Sequence, residues 1–187
     1  LRWQFGYDAN NNQTRITDAR GQVMAMTVDY LNRPLTKIYT DAAEASADGQ
    51  VRSITATWDC NSNPLVVTEV KMRGGVEVSE STTFTYDAFD RVQTRARLDA
   101  GATVAKVVAY DYDLTGNRTL VIDPDGIETE YAYDALNSLL SVESEAGATT
   151  YQWWEDDLPK AVVYPNGTWQ NLSKNDSYDR ADRLTRI

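Results

Sequence analysis

Histidine is absent from the 187 residues, which removes the side chain most used as a general base and as a metal ligand near neutral pH. Cysteine occurs once, as Cys60. One thiol builds neither an internal disulfide nor a Cys-based zinc site. No apolar run approaches the roughly 20 residues of a membrane-crossing helix, so membrane insertion is not expected. Basic residues are few, 18 against 28 acidic, for a net charge of −10. A surface of that sign repels phosphate, which argues against nucleic acid and anionic membranes as partners. Phenylalanine is scarce too: three Phe stand beside eleven Tyr and five Trp. Tyr and Trp join an apolar body to a polar tip and suit half-buried strand surfaces.

The length allows one domain or two small ones. Leu1, Arg2 and Trp3 already read as strand, with no initiator Met or signal peptide, and Arg183 to Ile187 stop inside a strand-like stretch. The sequence therefore reads as a piece of a longer protein.

What is present in abundance is a repeat. Tyr-Asp-Ala occurs at Tyr7, Tyr86 and Tyr133. Admitting any strand-favouring residue at the first position gives eight anchors: Tyr7, Val28, Trp58, Tyr86, Tyr112, Tyr133, Trp153 and Tyr178. One residue on come Asp8, Asp29, Asp59, Asp87, Asp113, Asp134 and Asp179, with Trp154 the exception. Four residues on come Asn11, Asn32, Ser62, Asp90, Gly116, Asn137, Asp157 and Asp182. Two residues before the anchor, Phe5, Phe84, Tyr110, Tyr131 and Tyr151 recur. Nine residues after it stand Ile16, Val67, Val121, Val142, Val162 and Ile187, a pattern that Lys37 and Arg95 break.

Each offset has a physical cause. Residues two apart on a strand share a face, so Tyr131 and Tyr133 form an aromatic pair on one side of a sheet. An Asp beside the anchor can accept backbone N–H bonds of the following turn. The small or amide-bearing residue four places on suits a left-handed backbone. Second turns are expected at Asp18 to Gly21, Asp41 to Gly49, Arg73-Gly74-Gly75, Asp99 to Gly101, Asp123 to Gly126, Glu145 to Gly147 and Pro165-Asn166-Gly167. Anchor spacings of 20 to 30 residues fit one constant turn joined by strands and second turns of adjustable length. The fold expected is all-β, an antiparallel array of about eight β-hairpin repeats over residues 1–187, with roughly 14 to 16 strands and no persuasive helix.

Tyr7-Asp8-Ala9-Asn10-Asn11-Asn12-Gln13-Thr14, followed by Thr17-Asp18-Ala19-Arg20-Gly21, resembles the YD-repeat (RHS-repeat) consensus, Tyr-Asp-x-x-Gly-Asn/Arg-Leu-Thr leading to Thr-Asp-x-x-Gly. Tyr178 to Thr185, Tyr112 to Thr119 and Tyr164-Pro165-Asn166-Gly167 are similar. The resemblance implies a curved spiral sheet, a segment of an open or hollow shell. In RHS proteins, insecticidal toxin complexes and teneurins such shells contain many more repeats than are found here. In bacterial polymorphic toxins the shell holds a toxic C-terminal segment. The implied partners are neighbouring repeats of the same full-length chain and an enclosed toxin or effector polypeptide; the implied localisation is secreted or cell surface. The family's autoproteolysis region begins with Asp-Pro-x-Gly. Asp123-Pro124-Asp125-Gly126 matches it superficially, but it stands where every repeat places its second turn, and no cleavage residue is carried over.

Function is accordingly expected to be structural, with no enzymatic activity and no cofactor. The alternative is an adhesive or carbohydrate-binding surface module, with glycans as partners and Trp154 and Trp169 as the candidate ligand surface. A carboxylate-based hydrolase ranks a distant third, on the pairs Asp123/Asp125, Glu128/Glu130 and Asp156/Asp157. Asp111, Asp113 and Gly116 loosely resemble a calcium loop that lacks its terminal Glu, since position 122 is Ile. Sequons at Asn12, Asn117, Asn166, Asn171 and Asn175 are of the number that an Asn- and Thr-rich chain produces by composition. Cys60, in a predicted turn, has no basic neighbour in sequence to activate it.

Overall fold

The computed structural model describes residues 2–40, 49–173, 177, 183 and 184. The anchor Tyr178 with Asp179 and Asp182, and the loop from Asp41 except Gly49, lie outside the described residues.

The chain divides into two compact units, Leu1–Val107 and Val108–Ile187. The first is built from β1 (Gln4–Tyr7), β2 (Gln13–Thr17), β3 (Val23–Val28), β4 (Pro34–Thr40), β5 (Val51–Trp58), β6 (Pro64–Arg73), β7 (Val76–Tyr86) and β8 (Val92–Leu98). The second is built from β9 (Lys106–Tyr112), β10 (Arg118–Ile122), β11 (Glu128–Tyr133), β12 (Leu139–Ser144), β13 (Gly147–Trp153), β14 (Pro159–Val163) and β15 (Trp169–Asn171). Fifteen strands thus cover the described residues, and no helix does. Within each unit every strand pairs antiparallel with the next in sequence. Such a meander uses only local pairings, which the short Gly-, Asn- and Asp-bearing turns permit.

The register makes the two flanking offsets one feature. Phe5 faces Ile16, Tyr110 faces Val121, Tyr131 faces Val142 and Tyr151 faces Val162 across their strand pairs. A ring two places before the anchor therefore meets an aliphatic side chain nine places after it, the pair type that most favours a sheet face. Lys37 faces Met26 and Arg95 faces Phe84, so the two sequence exceptions keep the geometry and change only the chemistry. On the opposite face hydroxyls pair instead: Thr27 Oγ1 lies 2.7 Å from Thr36 Oγ1, and Thr85 Oγ1 lies 2.6 Å from Thr94 Oγ1.

Burial is shallow. Met72 and Leu172 are the buried hydrophobic side chains among the described residues, and no large side chain is fully enclosed. Stability must come from half-buried faces and from bonds between successive repeats, as in other arrays in which each unit contacts its neighbours.

Candidate functional site

The recurring turn is the best-built chemical feature of the chain. At each described anchor the ladder slips by one residue: Tyr7 faces Gln13, Val28 faces Pro34, Trp58 faces Pro64, Tyr86 faces Val92, Tyr112 faces Arg118, Tyr133 faces Leu139 and Trp153 faces Pro159, each beside a register shift. Such a bulge bends the strand and re-aims its side chains. The residue four places past the anchor then takes positive φ: Asn11 65°, Asn32 63°, Ser62 71°, Asp90 61°, Asn137 66°, Asp157 62° and Gly116 98°. Asn and Asp visit this region at least cost among residues with a Cβ.

The Asp after the anchor closes the turn. Asp8 Oδ1 accepts from the N–H groups of Asn10 (2.9 Å) and Asn12 (2.8 Å). Asp29, Asp59, Asp87, Asp113 and Asp134 accept the equivalent pair of backbone bonds. These bonds favour the ionised carboxylate. Burial pushes the Asp113 pKa up, but donors from the Asn117 side chain, the Thr115 hydroxyl and backbone N–H groups hold it down at about 2. Asp134 is lowered above all by the Ser138 N–H. Asp18 and Asp123, in second turns, accept the same two backbone bonds. The Asp123-Pro124-Asp125-Gly126 stretch is therefore the same turn used elsewhere in the chain. At Trp154 the carboxylate is missing, yet the backbone turn persists, with Trp154 N–H donating to Leu158 O (2.9 Å) and Asp157 N–H to Trp154 O (3.1 Å).

Two ladders run from repeat to repeat. In the first, an anchor ring donates to the backbone carbonyl six places past the preceding anchor. Trp58 Nε1 reaches Pro34 O (2.8 Å), and Tyr86 Oη reaches Pro64 O (2.8 Å). Tyr133 Oη reaches Arg118 O (3.1 Å), and Trp153 Nε1 reaches Leu139 O (2.7 Å). In the second, the residue five places past the anchor bonds its own turn Asp and reaches forward to the next turn. Asn12 Nδ2 donates to Asp8 Oδ2 and to Asn32 Oδ1. Arg33 Nε donates to Asp29 Oδ2, and its Nη1 to Asp59 O. Asn63 Nδ2 donates to Asp59 Oδ2 and Asp90 Oδ1, and Asn117 Nδ2 to Asp113 Oδ2 and Asn137 Oδ1. Sequence reasoning missed both ladders. Their signals are the preference for polar-tipped rings over Phe at the anchors and the Asn or Arg five places on.

One carboxylate stands outside the repeat grammar. Glu80 on β7 is 3% exposed. It is paired with Lys71 Nζ (2.6 Å), Arg73 Nη2 (2.8 Å) and Arg97 Nη2. Arg97 Nε also meets Asp99 Oδ1 at 2.9 Å, and Lys106 Nζ meets Asp99 Oδ2 at 3.2 Å. The Lys71 hydrogen bond, opposed by burial, holds the Glu80 pKa below its ordinary value.

The other sequence candidates are scattered. Trp154 is half-buried; its Nε1 donates to Leu172 O (3.4 Å) and the Lys160 ammonium lies 4.8 Å from its ring centroid. Trp169 is 66% exposed on β15. Glu128, Glu130, Glu143 and Glu145 line a hollow of about 430 Å³, with Glu130 directly opposite Glu143. A second hollow, of about 540 Å³, lies between Trp3, Met24, Tyr39 and the Asp18–Arg20 pair. Among the described residues no group of three or more Cys, Asp or Glu side chains is arranged to hold a metal ion. Cys60 is exposed. Asn12 and Asn117, the first two sequon residues, have their amide nitrogens engaged in the forward ladder.

Residues 112–150 match the family model described as RHS Repeat, a stretch that contains the anchors Tyr112 and Tyr133. The structure of the Photorhabdus luminescens Tc holotoxin pore, carrying a TccC3 mutation, is similar with a TM-score of 0.65 at 15% identity, over 86% of this chain and 9% of that chain. The crystal structure of TcdB2-TccC3 without its hypervariable C-terminal region aligns at TM-score 0.44 and 9% identity, over 86% of this chain and 11% of that one. The chain thus spans about a tenth of the length of these solved structures. No curated protein sequence matches it.

Proposed function

We propose, from the match of residues 112–150 to the RHS Repeat model and the recurrence of the same turn along the chain, that residues 1–187 form one array of about eight RHS/YD repeats that is a length of shell wall, enclosing or displaying a toxin or effector polypeptide carried by the same full-length protein. The observation that supports this reading most is the pair of ladders. Between the repeats anchored at Trp58 and Tyr86, and again between those at Tyr112 and Tyr133, a ring-to-carbonyl bond and an amide-to-turn bond both join neighbours. Such a unit grows by addition alone, so a wall of any length can be made from it. The chemistry needed is containment, which asks for a continuous hydrogen-bonded sheet and not for a reactive centre.

The test uses the full-length polypeptide. Limited proteolysis is compared between the native protein and a variant lacking one complete repeat, Val108 to Glu128. Containment predicts that a C-terminal guest resists protease in the first and is degraded in the second. A guest cleaved equally in both overturns the reading.

A further inference from the structure

Asn166 is the one asparagine of the sequence that precedes a glycine. It stands exposed in the turn between β14 and β15, with Gly167 at φ 79°. The backbone of this turn is that of Asp123 to Ile127. Tyr164 N–H donates to Thr168 O (2.8 Å) and Gly167 N–H to Tyr164 O (2.9 Å), as Asp123 N–H donates to Ile127 O and Gly126 N–H to Asp123 O. What differs is the side-chain acceptor. Asp123 Oδ1 takes the Ile127 N–H, whereas Tyr164 has no carboxylate to offer Thr168. The Asn166 side chain fills that place: its Oδ1 accepts from the Thr168 N–H (3.0 Å) and from the Thr168 hydroxyl (2.7 Å).

Two donors on one amide oxygen do more than close a turn. They draw electron density from Asn166 Cγ, and they stand where negative charge collects if that carbon is attacked. The backbone nitrogen of Gly167 is tethered to the same residue, at the spacing that closes a cyclic imide, and Gly carries no side chain to hinder the approach. Its N–H bond to Tyr164 O belongs to one solvent-exposed turn, the kind of element that opens most readily. The Thr168 bonds span only residues 166 to 168, so they survive that opening. We propose that Asn166–Gly167 is a self-modification site. Gly167 N gives up its proton and bonds to Asn166 Cγ; the Cγ–Nδ2 bond breaks, and Nδ2 takes up a proton and leaves as ammonia. Water then opens the imide at either carbonyl, leaving aspartate or isoaspartate at position 166. Both products add a negative charge. Isoaspartate also lengthens the backbone by a methylene beside Pro165, which packs so closely on Gly147 that a methyl group there would lie 2.9 Å from Pro165 Cβ. The modification therefore loosens the fit between two adjacent turns.

The test incubates the full-length protein in mildly alkaline buffer and follows residue 166 by peptide mapping, with isoaspartate labelled by an isoaspartyl methyltransferase. Asn166 should convert faster than Asn61 and Asn137, the asparagines followed by serine. Thr168→Val deletes the hydroxyl donor and slows the folded protein about fivefold, the rate equivalent of one solvated hydrogen bond. Thr168→Ser keeps the parent rate. In urea the unfolded parent and Thr168→Val convert alike, which separates the contribution of the turn from that of the bare dipeptide and identifies a variant that has failed to fold. An Asn166 that keeps its amide, or a folded Thr168→Val variant that converts as fast as the parent, overturns the proposal.

Discussion

The phenol of Tyr86 donates a 2.8 Å hydrogen bond to the backbone carbonyl of Pro64, tying the ring of one repeat to the far side of the preceding repeat's turn. Tyr86→Phe keeps the ring and leaves that carbonyl without its donor. The expected loss is about 1 kcal/mol, the net worth of one such bond, read as a lower urea midpoint at unchanged slope. Burial, followed by the Asp59 charge, raises the Tyr86 pKa above its ordinary value of 10. The unfolded chain therefore ionises first. Stability from Tyr86 is complete below pH 10 and falls as pH rises beyond it, a fall that Tyr86→Phe should reduce.

The left-handed turn residues separate into two kinds. Asn137 has φ 66° and also receives the Asn117 amide at 2.7 Å. Asp157 has φ 62° and lies past Trp154, where the turn carboxylate is lost. Asp157→Gly should stabilise the chain, by up to about 1 kcal/mol, because Gly adopts this conformation without the Cβ clash. Asn137→Gly gains the same relief but forfeits the ladder bond, so its stability should remain near that of the parent. Asn137→Val should destabilise by about 1–2 kcal/mol, since a β-branched side chain at positive φ is strained. Thermal unfolding of the three variants gives the ranking. A stable Asn137→Val variant would mean that the turn tolerates another backbone conformation.

The hairpin grammar was legible because it is local. Asp8, Asn11 and Phe5 each answer a demand made within one strand and one turn, and their offsets survive in the sequence. What joins repeats was not legible, because the partners are separated by variable spacing and one of them is backbone. Pro64 O leaves no trace in the sequence, and only the choice of Tyr or Trp at the anchor marks its donor. Glu80 was missed for a different reason. It sits between turns, so no offset from an anchor singles it out, and its three cations come from two neighbouring strands. Trp154 was visible as an exception, but its cover of Lys160 and Leu172 follows from the path of β14 and β15.

Acid should unfold the chain through its turns. Asp8, Asp29, Asp59, Asp87, Asp113 and Asp134 all have pKa values lowered from 3.8 in the folded state, Asp113 to about 2. For a lowered carboxylate the folded state holds its proton less tightly than the unfolded one. Its contribution is present above the unfolded pKa and disappears as pH falls through the folded value. Stability should therefore be level above about pH 4 and fall between pH 4 and pH 2. Asp113→Asn, which retains an acceptor oxygen for the turn, should flatten part of that slope. Urea titrations at stepped pH check it, and an unaltered slope would remove Asp113 from the account.

Glu80 gathers Lys71, Arg73 and Arg97 around one carboxylate that is nearly sealed from solvent. Removing it does not simply delete three attractions. Lys71, with its side chain only 16% exposed, is left beside two guanidinium groups with less water to screen them. Breaking one member of a buried charged group costs more than the group contributes as a whole, because the unpaired charge stays behind. Glu80→Gln should therefore lower the unfolding midpoint more than Glu77→Gln, whose carboxylate is 60% exposed and meets Arg52 at 3.6 Å. Adding Lys71→Met to Glu80→Gln should recover part of the loss, since it takes away the most enclosed of the stranded cations. The double-mutant cycle settles the matter. If the second substitution adds to the damage of the first, the three cations are held apart by something other than Glu80, and the carboxylate is not the centre of this cluster.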